Sequence, residues 1–257
     1  FKFLKNWDFK KAQNHISLNF VIPITIGIII SVILLAKFLS YLFNNFEIYT
    51  WAYFFGIIMA SVFYIARHTT KWTKRESLFF IIGLTISLGL LFIEPNIENK
   101  NLFFVLICGI IGIVGMLIPG LSGSYLLIIL GNYKLLVIDT INKITSFNFS
   151  EQNYLYLKLF FVFLFGQVLG ILIFSRLIKW LIKNYKNITF STLAGFIAGS
   201  LVYIWPWKNN IENTKLIYNL SYPDFKNIAD VYPILIILLG IITIVLVEKL
   251  ANQHNHV

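Results

Sequence analysis

The chain has 257 residues, 58% of them hydrophobic and only 12% charged, with a mean hydropathy of +0.78. A soluble domain carries about 45–50% apolar and about 25% charged residues. Too few polar side chains remain here to cover a globule of this size in water, which excludes a soluble enzyme, an intrinsically disordered chain and a coiled coil. The net charge of +10, from 21 Lys and Arg against 11 Asp and Glu, leaves nucleic acid and a membrane as possible reasons for the excess.

A bilayer core about 30 Å thick needs roughly 20 apolar residues per helix, and such runs recur along the chain. Phe20 to Phe43 is the first, interrupted by Lys37; Tyr49 to Ala66 and Leu78 to Ile93 follow. Leu102 to Ile118 ends at Pro119, and the break Pro119-Gly120-Leu121-Ser122-Gly123-Ser124 separates it from Tyr125 to Ile138. Leu159 to Ile182, Phe190 to Trp205 and Val231 to Val247 complete the set. No series of segments alternates with a period of two, so a transmembrane β-barrel is not indicated. The expected fold is all-α: one polytopic membrane domain over residues 1–257, closed by a C-terminal helix at 231–250.

Orientation follows from where Lys and Arg fall between the runs. Lys2, Lys5, Lys10 and Lys11 outweigh Asp8 before the first run, and Arg67, Lys71, Lys74 and Arg75 outweigh Glu76 after the second. Lys179, Lys183 and Lys186 form a third basic segment. The alternate segments, carrying Glu47, then Glu94, Glu98 and Lys100, then Asp139, Lys143 and Glu151, and then the stretch from Lys208 to Asp230, are neutral or acidic. The basic segments therefore face the cytoplasm, both chain ends included, and the positive charge needs no nucleic acid. Trp7, Trp51, Trp72, Trp180, Trp205 and Trp207 lie at or near run ends, where an aromatic belt places them. With this topology the runs Leu102–Ile118 and Tyr125–Ile138 begin and end outside. At 1.5 Å per residue they span roughly 26 and 21 Å, which favours a re-entrant helical hairpin over 102–138 above a tight transmembrane pair.

An offset of 139 residues superimposes Gly27 on Gly166, Leu42 on Leu181, Asn45 on Asn184, Thr50 on Thr189, Gly56 on Gly195, Ser61 on Ser200 and Tyr64 on Tyr203. Lys37 falls on Arg176, Tyr41 on Trp180 and Phe46 on Tyr185. Chance similarity of apolar helices supplies Leu and Ile matches more readily than matches at Gly, Asn, Thr and a cation. The reading is a duplication, with 20–66 the end of a first repeat and 102–205 the second. Given the topology, the two copies are inverted, an arrangement found in transporters with a midplane site.

The candidate site residues start with the tip, Pro119, Gly120, Ser122, Gly123 and Ser124. Non-helical backbone at membrane depth is tolerated where protein or water satisfies it, and a half-helix starting near Ser124 offers N–H groups and hydroxyls to an anion such as phosphate. The alternative is a tight turn with Ser122 or Ser124 as an ordinary N-cap. Lys37 and Arg176, near opposite faces, either attract anionic headgroups or snorkel to the nearest interface. Gln167, an amide inside an apolar run, either binds substrate or bonds a neighbouring helix. Gly166-xxx-Gly170 and Gly195-xxx-Gly199 read as close helix packing. His15, His68, His254 and His256 have no metal-ligand spacing, and Cys108 is a single cysteine, so no metal or other cofactor is expected.

The tip, with Gly131-Asn132-Tyr133 after it, the Gly195…Gly199-Ser200-Leu201 run, Trp205-Pro206-Trp207 and the closing helix with Glu248-Lys249 together resemble the bacterial polyprenyl-phosphate (undecaprenyl phosphate) transporter family over essentially the whole chain. The resemblance implies a multi-pass protein of the bacterial cytoplasmic membrane that moves undecaprenyl phosphate from the outer to the inner leaflet by alternating access, recycling the carrier for wall polymers. It implies a lipid as the partner, and no catalysis. The family carries an earlier Pro-Gly-x-Ser-Gly-Gly loop that this sequence lacks; the repeat offset places it about 20 residues ahead of Phe1, so the sequence reads as N-terminally truncated. Two alternatives compete. A membrane undecaprenyl-diphosphatase needs an Arg where Gly123 stands and an intramembrane Glu pair, whereas Glu94 and Glu98 flank Pro95 in an outer loop. A secondary transporter of another anionic solute lacks an Asp or Glu carrier within the clear spans. On this reading Gly123→Leu blocks anion approach with the fold intact, and Arg176→Gln tests the cation.

Overall fold

The computed structural model describes residues 18–145, 151–207, 220–223 and 228–254. The basic N-terminal segment with Trp7 and His15, most of the stretch from Lys208 to Asp230, and His256 lie outside the described residues. Two compact units are present, Phe1–Thr50 and Trp51–Val257. In the first, α1 (Leu18–Asn45) is followed by the start of α2 (Glu47–Arg67). Its apolar side chains from Ile22 to Phe38 are exposed.

The second unit continues α2 and adds α3 (Lys74–Gly89), a 3-10 turn Leu90–Phe92, α4 (Leu102–Leu117) and α5 (Gly123–Ile129). A π-helical turn Lys134–Asp139, α6 (Thr140–Thr145), α7 (Glu151–Ser200), a second 3-10 turn Leu201–Ile204 and α8 (Ile228–His254) follow. Among the described residues five helices are long and apolar enough to cross a membrane, six if the bent pair after the tip counts as one span. A helix satisfies its own N–H and C=O groups, which is what lipid demands, and the exposed Ile, Leu and Val along α1 and α8 suit hydrocarbon rather than water. The protein is a multi-pass, all-α membrane protein.

The hairpin differs from its expected form in its returning arm. α4 has 16 residues, roughly 24 Å, but α5 has only seven instead of a helix running from Tyr125 to Ile138. The chain then bends by 116° into 134–144. Gly131 permits the bend because its φ is +77°, where a side chain would be strained. Asn132 fixes it: fully buried, it donates from Nδ2 to Asn99 O (2.8 Å) and accepts at Oδ1 from Asn99 N–H (2.8 Å). The start of one arm is thereby tied to the end of the other. Below the tie lies the buried cluster of Val105, Cys108, Leu127, Leu135, Leu136, Leu159 and Phe163. Asn132→Ala leaves the Asn99 N–H and C=O without these partners, so a loss of about 2 kcal/mol is expected. A detergent-phase thermal melt unchanged by that substitution would show the tie to be dispensable.

α7 is two helices joined at Tyr185 (φ −136°, ψ 45°), here α7a (151–184) and α7b (186–200). α4 runs parallel to α7a: Gly109 lies against Phe163, Gly166 and Gln167, and Gly170 against Ile110 and Ile113. Gly120, just past the end of α4, nevertheless rests on Ile197. On an unbroken helix Ile197 would lie about 40 Å beyond Gly170, so the chain doubles back at Tyr185.

Several residues that the offset superimposes make matching contacts. At the α1–α2 break Asn45 Nδ2 donates to Tyr41 O (2.8 Å), and at the α7 kink Asn184 Nδ2 donates to Trp180 O (2.9 Å). Thr50 Oγ1 donates to Phe46 O (2.8 Å), as Thr189 Oγ1 does to Tyr185 O (2.9 Å). Tyr41 meets Phe46 edge to face at 66°, and Trp180 meets Tyr185 at the same angle. The glycine seams repeat as well. A Cβ on Gly56 would enter the carbonyl of Ile237 in α8, and one on Gly195 that of Phe80 in α3. Reciprocally, Gly240 faces the Tyr53 carbonyl and Gly83 the Thr192 carbonyl. The spacing from Phe80 to Ile237 equals that from Gly83 to Gly240, so the contacts of the two seams follow the same order along their helices. Gly166-xxx-Gly170 and Gly195-xxx-Gly199 are close-packing positions, as their spacing predicts; Gly27, the counterpart of Gly166, has no described atom within 4 Å of a Cβ.

Candidate functional site

The tip forms because α4 cannot pass Pro119. The residue before a proline is biased to extended backbone, and Ile118 is extended (φ −86°, ψ 116°). Gly120 then takes φ +87° and sits on the backbone of Phe196 and Ile197 in α7b, where a Cβ would stand 2.8 Å from three of their atoms. Leu121 N–H closes the turn on Ile118 O (3.2 Å). Ser122 is the N-cap of α5, its Oγ accepting from Tyr125 N–H at 3.4 Å. Its hydroxyl also pairs with that of Ser124 at 2.8 Å.

The expected anion cradle on a long half-helix is therefore reduced. A seven-residue helix carries little dipole, and one of its first N–H groups is already capped by Ser122. Gly123 is buried against α4: a Cβ there would enter the Gly112 carbonyl and stand 2.7 Å from the Met116 side chain. Gly123→Leu would thus separate α4 from α5, which corrects the expectation that this substitution leaves the fold intact.

Instead, the tip forms one wall of a cavity of about 270 Å³. Gly120, Leu121, Ser122, Tyr125 and Leu126 line one side; Ser200, Tyr203 and Ile204, with Ile58 and Leu90, line the other. Tyr125 OH donates to Leu90 O (3.0 Å) and Tyr203 OH to Ser87 O (3.2 Å), so both tyrosines are anchored at the end of α3. Their rings meet edge to face, with centroids 5.3 Å apart. Ser200 Oγ donates to Ile197 O (2.8 Å). Three hydroxyl protons are thus held by carbonyls, whereas the Ser122–Ser124 pair needs only one of its two for the bond between them. One serine hydroxyl is left to donate to a bound group. The arrangement suits a small oxyanion or hydroxylated group with an apolar extension, because Ile58, Leu90, Leu121, Leu126 and Ile204 make up the rest of the wall.

Not every residue singled out in the sequence reaches this cavity. Pro119 shapes the tip without lining it, and Ser124 acts through Ser122. Gln167 is half-buried in the α4–α7a seam beside Gly109. Arg176 is exposed, turned away from the α7a face that carries the buried Phe163, Gly166 and Gly170. Lys37 is exposed on α1 in the first unit. No lysine or arginine is among the residues lining the cavity, and among the described residues no three His, Cys, Asp or Glu side chains gather as metal ligands. The residues that sequence reasoning did not assign to the site, Tyr125, Ser200 and Tyr203, include two members of repeat pairs, Ser61/Ser200 and Tyr64/Tyr203.

The sequence profile of the undecaprenyl phosphate translocase-like family matches residues 1–220. The chain belongs to this family. It is 33% identical over 215 residues to a polyprenyl-phosphate transporter of Vibrio cholerae serotype O1, covering 81% of this chain and 65% of that relative. It is 27% identical over 202 residues to a polyprenyl-phosphate transporter of Staphylococcus aureus, covering 74% of this chain and 69% of that one. The chain thus spans about two thirds of the length of these family members. No solved structure matches it.

Proposed function

We propose that this protein carries polyprenyl phosphate, undecaprenyl phosphate in particular, across the bacterial cytoplasmic membrane, from the outer leaflet to the inner one. The observation that carries this reading is the cavity at the tip: a non-helical break opens onto hydroxyl groups with an apolar wall beside them, as a phosphate headgroup on a prenyl chain requires. The names of the two relatives and the family support the choice of lipid.

The mechanism we favour is alternating access between two inverted copies. Two structurally equivalent kinks carry opposite charge patterns, Asn44 and Glu47 at one and Lys183 and Lys186 at the other. Under the positive-inside rule Lys183 and Lys186 face the cytoplasm, as the chain ends do. Ser122, with Ser124 behind it, is the donor to the phosphate, while Gly120, Pro119 and Gly123 hold the loop. Lys37 and Arg176 draw headgroups from opposite leaflets, and Gln167 acts in packing.

Labelled undecaprenyl phosphate in proteoliposomes tests the reading. The wild-type chain is expected to move the lipid between leaflets, and Ser122→Ala/Ser124→Ala to slow it at least about tenfold, the worth of one hydrogen bond to a charged group, with a stability loss of only about 1 kcal/mol from the lost N-cap. Absence of lipid movement by the full-length protein would sink the proposal. Phosphate release from the diphosphate would favour a diphosphatase instead.

A further inference from the structure

We propose that the end of the bundle carrying residues 67–75 and 183–187 is a binding surface for the headgroups of anionic phospholipids. Two segments far apart in sequence are fixed together there. Thr70 donates from both N–H and Oγ1 to Asn187 Oδ1 (3.2 Å each), and Thr69 Oγ1 donates to Asn187 O (3.4 Å). The His68 ring stacks on Phe190 with centroids 5.0 Å apart. This brings Lys71 of the α2–α3 loop and Lys74 and Arg75 of the first turn of α3 to the same end as Lys183 and Lys186, which flank the kink at Tyr185, and all five are exposed.

The acids at this end are turned elsewhere. The Glu76 carboxylate folds back on the Thr73 hydroxyl and backbone N–H as part of the α3 capping box. Glu248 pairs with Arg67 at 3.3 Å. Among the described residues Lys71, Lys74, Lys183 and Lys186 form no ion pair. Trp72, in the first segment, and Trp180, one helical turn before the second, are 47% and 53% exposed, as amphipathic rings at headgroup depth would be.

A count of positive charges is enough to orient a membrane protein, and scattered lysines would serve. What that count does not require is their convergence. The equivalent kink at Asn45–Phe46 keeps the same side-chain bonds and the same aromatic pair, yet places Asn44 and Glu47 where this one places Lys183 and Lys186. The cations are therefore an addition to the kink and not part of its construction. A cluster of this kind attracts acidic lipid by charge, and the attraction weakens with salt.

The inference is independent of the transported lipid, because it is read with ordinary phospholipids. The full chain in neutral detergent is examined by native mass spectrometry with phosphatidylglycerol or phosphatidylcholine of matched acyl chains. Wild type is expected to retain phosphatidylglycerol preferentially. Lys71→Gln/Lys74→Gln/Lys183→Gln/Lys186→Gln should weaken that retention at least about tenfold, leaving phosphatidylcholine unchanged, and the four corresponding Lys→Arg changes should restore it. Lys100→Gln/Lys134→Gln, elsewhere on the chain, should have no effect. Equal retention of both lipids by wild type, or undiminished phosphatidylglycerol on the fourfold variant, would overturn the proposal, as would an equal loss on the control. If the fourfold variant does not fold, Lys183→Gln/Lys186→Gln carries the test: a severalfold loss supports the surface and no loss refutes it.

Discussion

Gly120→Val is expected to abolish lipid transport and to lower the melting temperature of the purified protein by several degrees. Two costs add at this position. Gly120 has φ +87°, where an L-residue pays roughly 1–2 kcal/mol, more for a β-branched one. Its Cβ would also stand 2.8 Å from the Cα and N of Ile197, which are backbone atoms that cannot rotate aside. The tip must then lift off α7b, taking Leu121 and Ser122 with it and separating the two walls of the cavity. Gly89→Ala is the matched control, since a Cβ there meets nothing within 4 Å and the residue is helical. A slight gain in stability is expected for it, of about 0.5–1 kcal/mol. Wild-type transport by Gly120→Val would mean that the tip need not touch Ile197 for function.

The difference between these two glycines marks what sequence can and cannot convey about such a fold. The spans were legible because lipid imposes a length and a composition on each helix. The tip was legible because Pro119 and its neighbouring glycines cannot continue one. The seams at Gly166, Gly170 and Gly195 announced themselves by spacing. The returning arm was hidden because the apolar run continues through the bend: the tie that holds it joins Asn132 to Asn99, a partner 33 residues away. The cavity wall was hidden for a similar reason. Tyr125 and Tyr203 meet through hydrogen bonds to the end of α3, which nothing local in either segment foretells. The exposure of Arg176 was more accessible, since 3.6 residues per turn already places it off the face defined by Gly166 and Gly170. The repeat fell between these cases. Matches at Asn45/Asn184 and Thr50/Thr189 were visible, but their shared task of tying two equivalent kinks appeared only in the hydrogen bonds.

That repetition has a quantitative consequence for the two glycine seams. Gly56→Val and Gly195→Val are expected to destabilise the protein by similar amounts, about 3 kcal/mol each, because each drives a side chain into a carbonyl on the facing helix. Pairs of alanine substitutions should then separate by seam. Gly56→Ala with Gly240→Ala touches α2 and α8 only, and once the first has pushed those helices apart the second meets less resistance; their effects should sum to clearly less than the single losses. Gly56→Ala with Gly83→Ala touches one seam each, α2–α8 and α3–α7b, and these effects should add to within about 0.5 kcal/mol. Reversible unfolding in mixed micelles, followed by tryptophan fluorescence, measures all five singles and both doubles. Unequal losses for Gly56→Val and Gly195→Val, with full additivity in the first double, would mean that the two seams are alike in outline only. The matched result would mean that the same interhelical contact has been built twice, with a member of each copy holding a helix of the other.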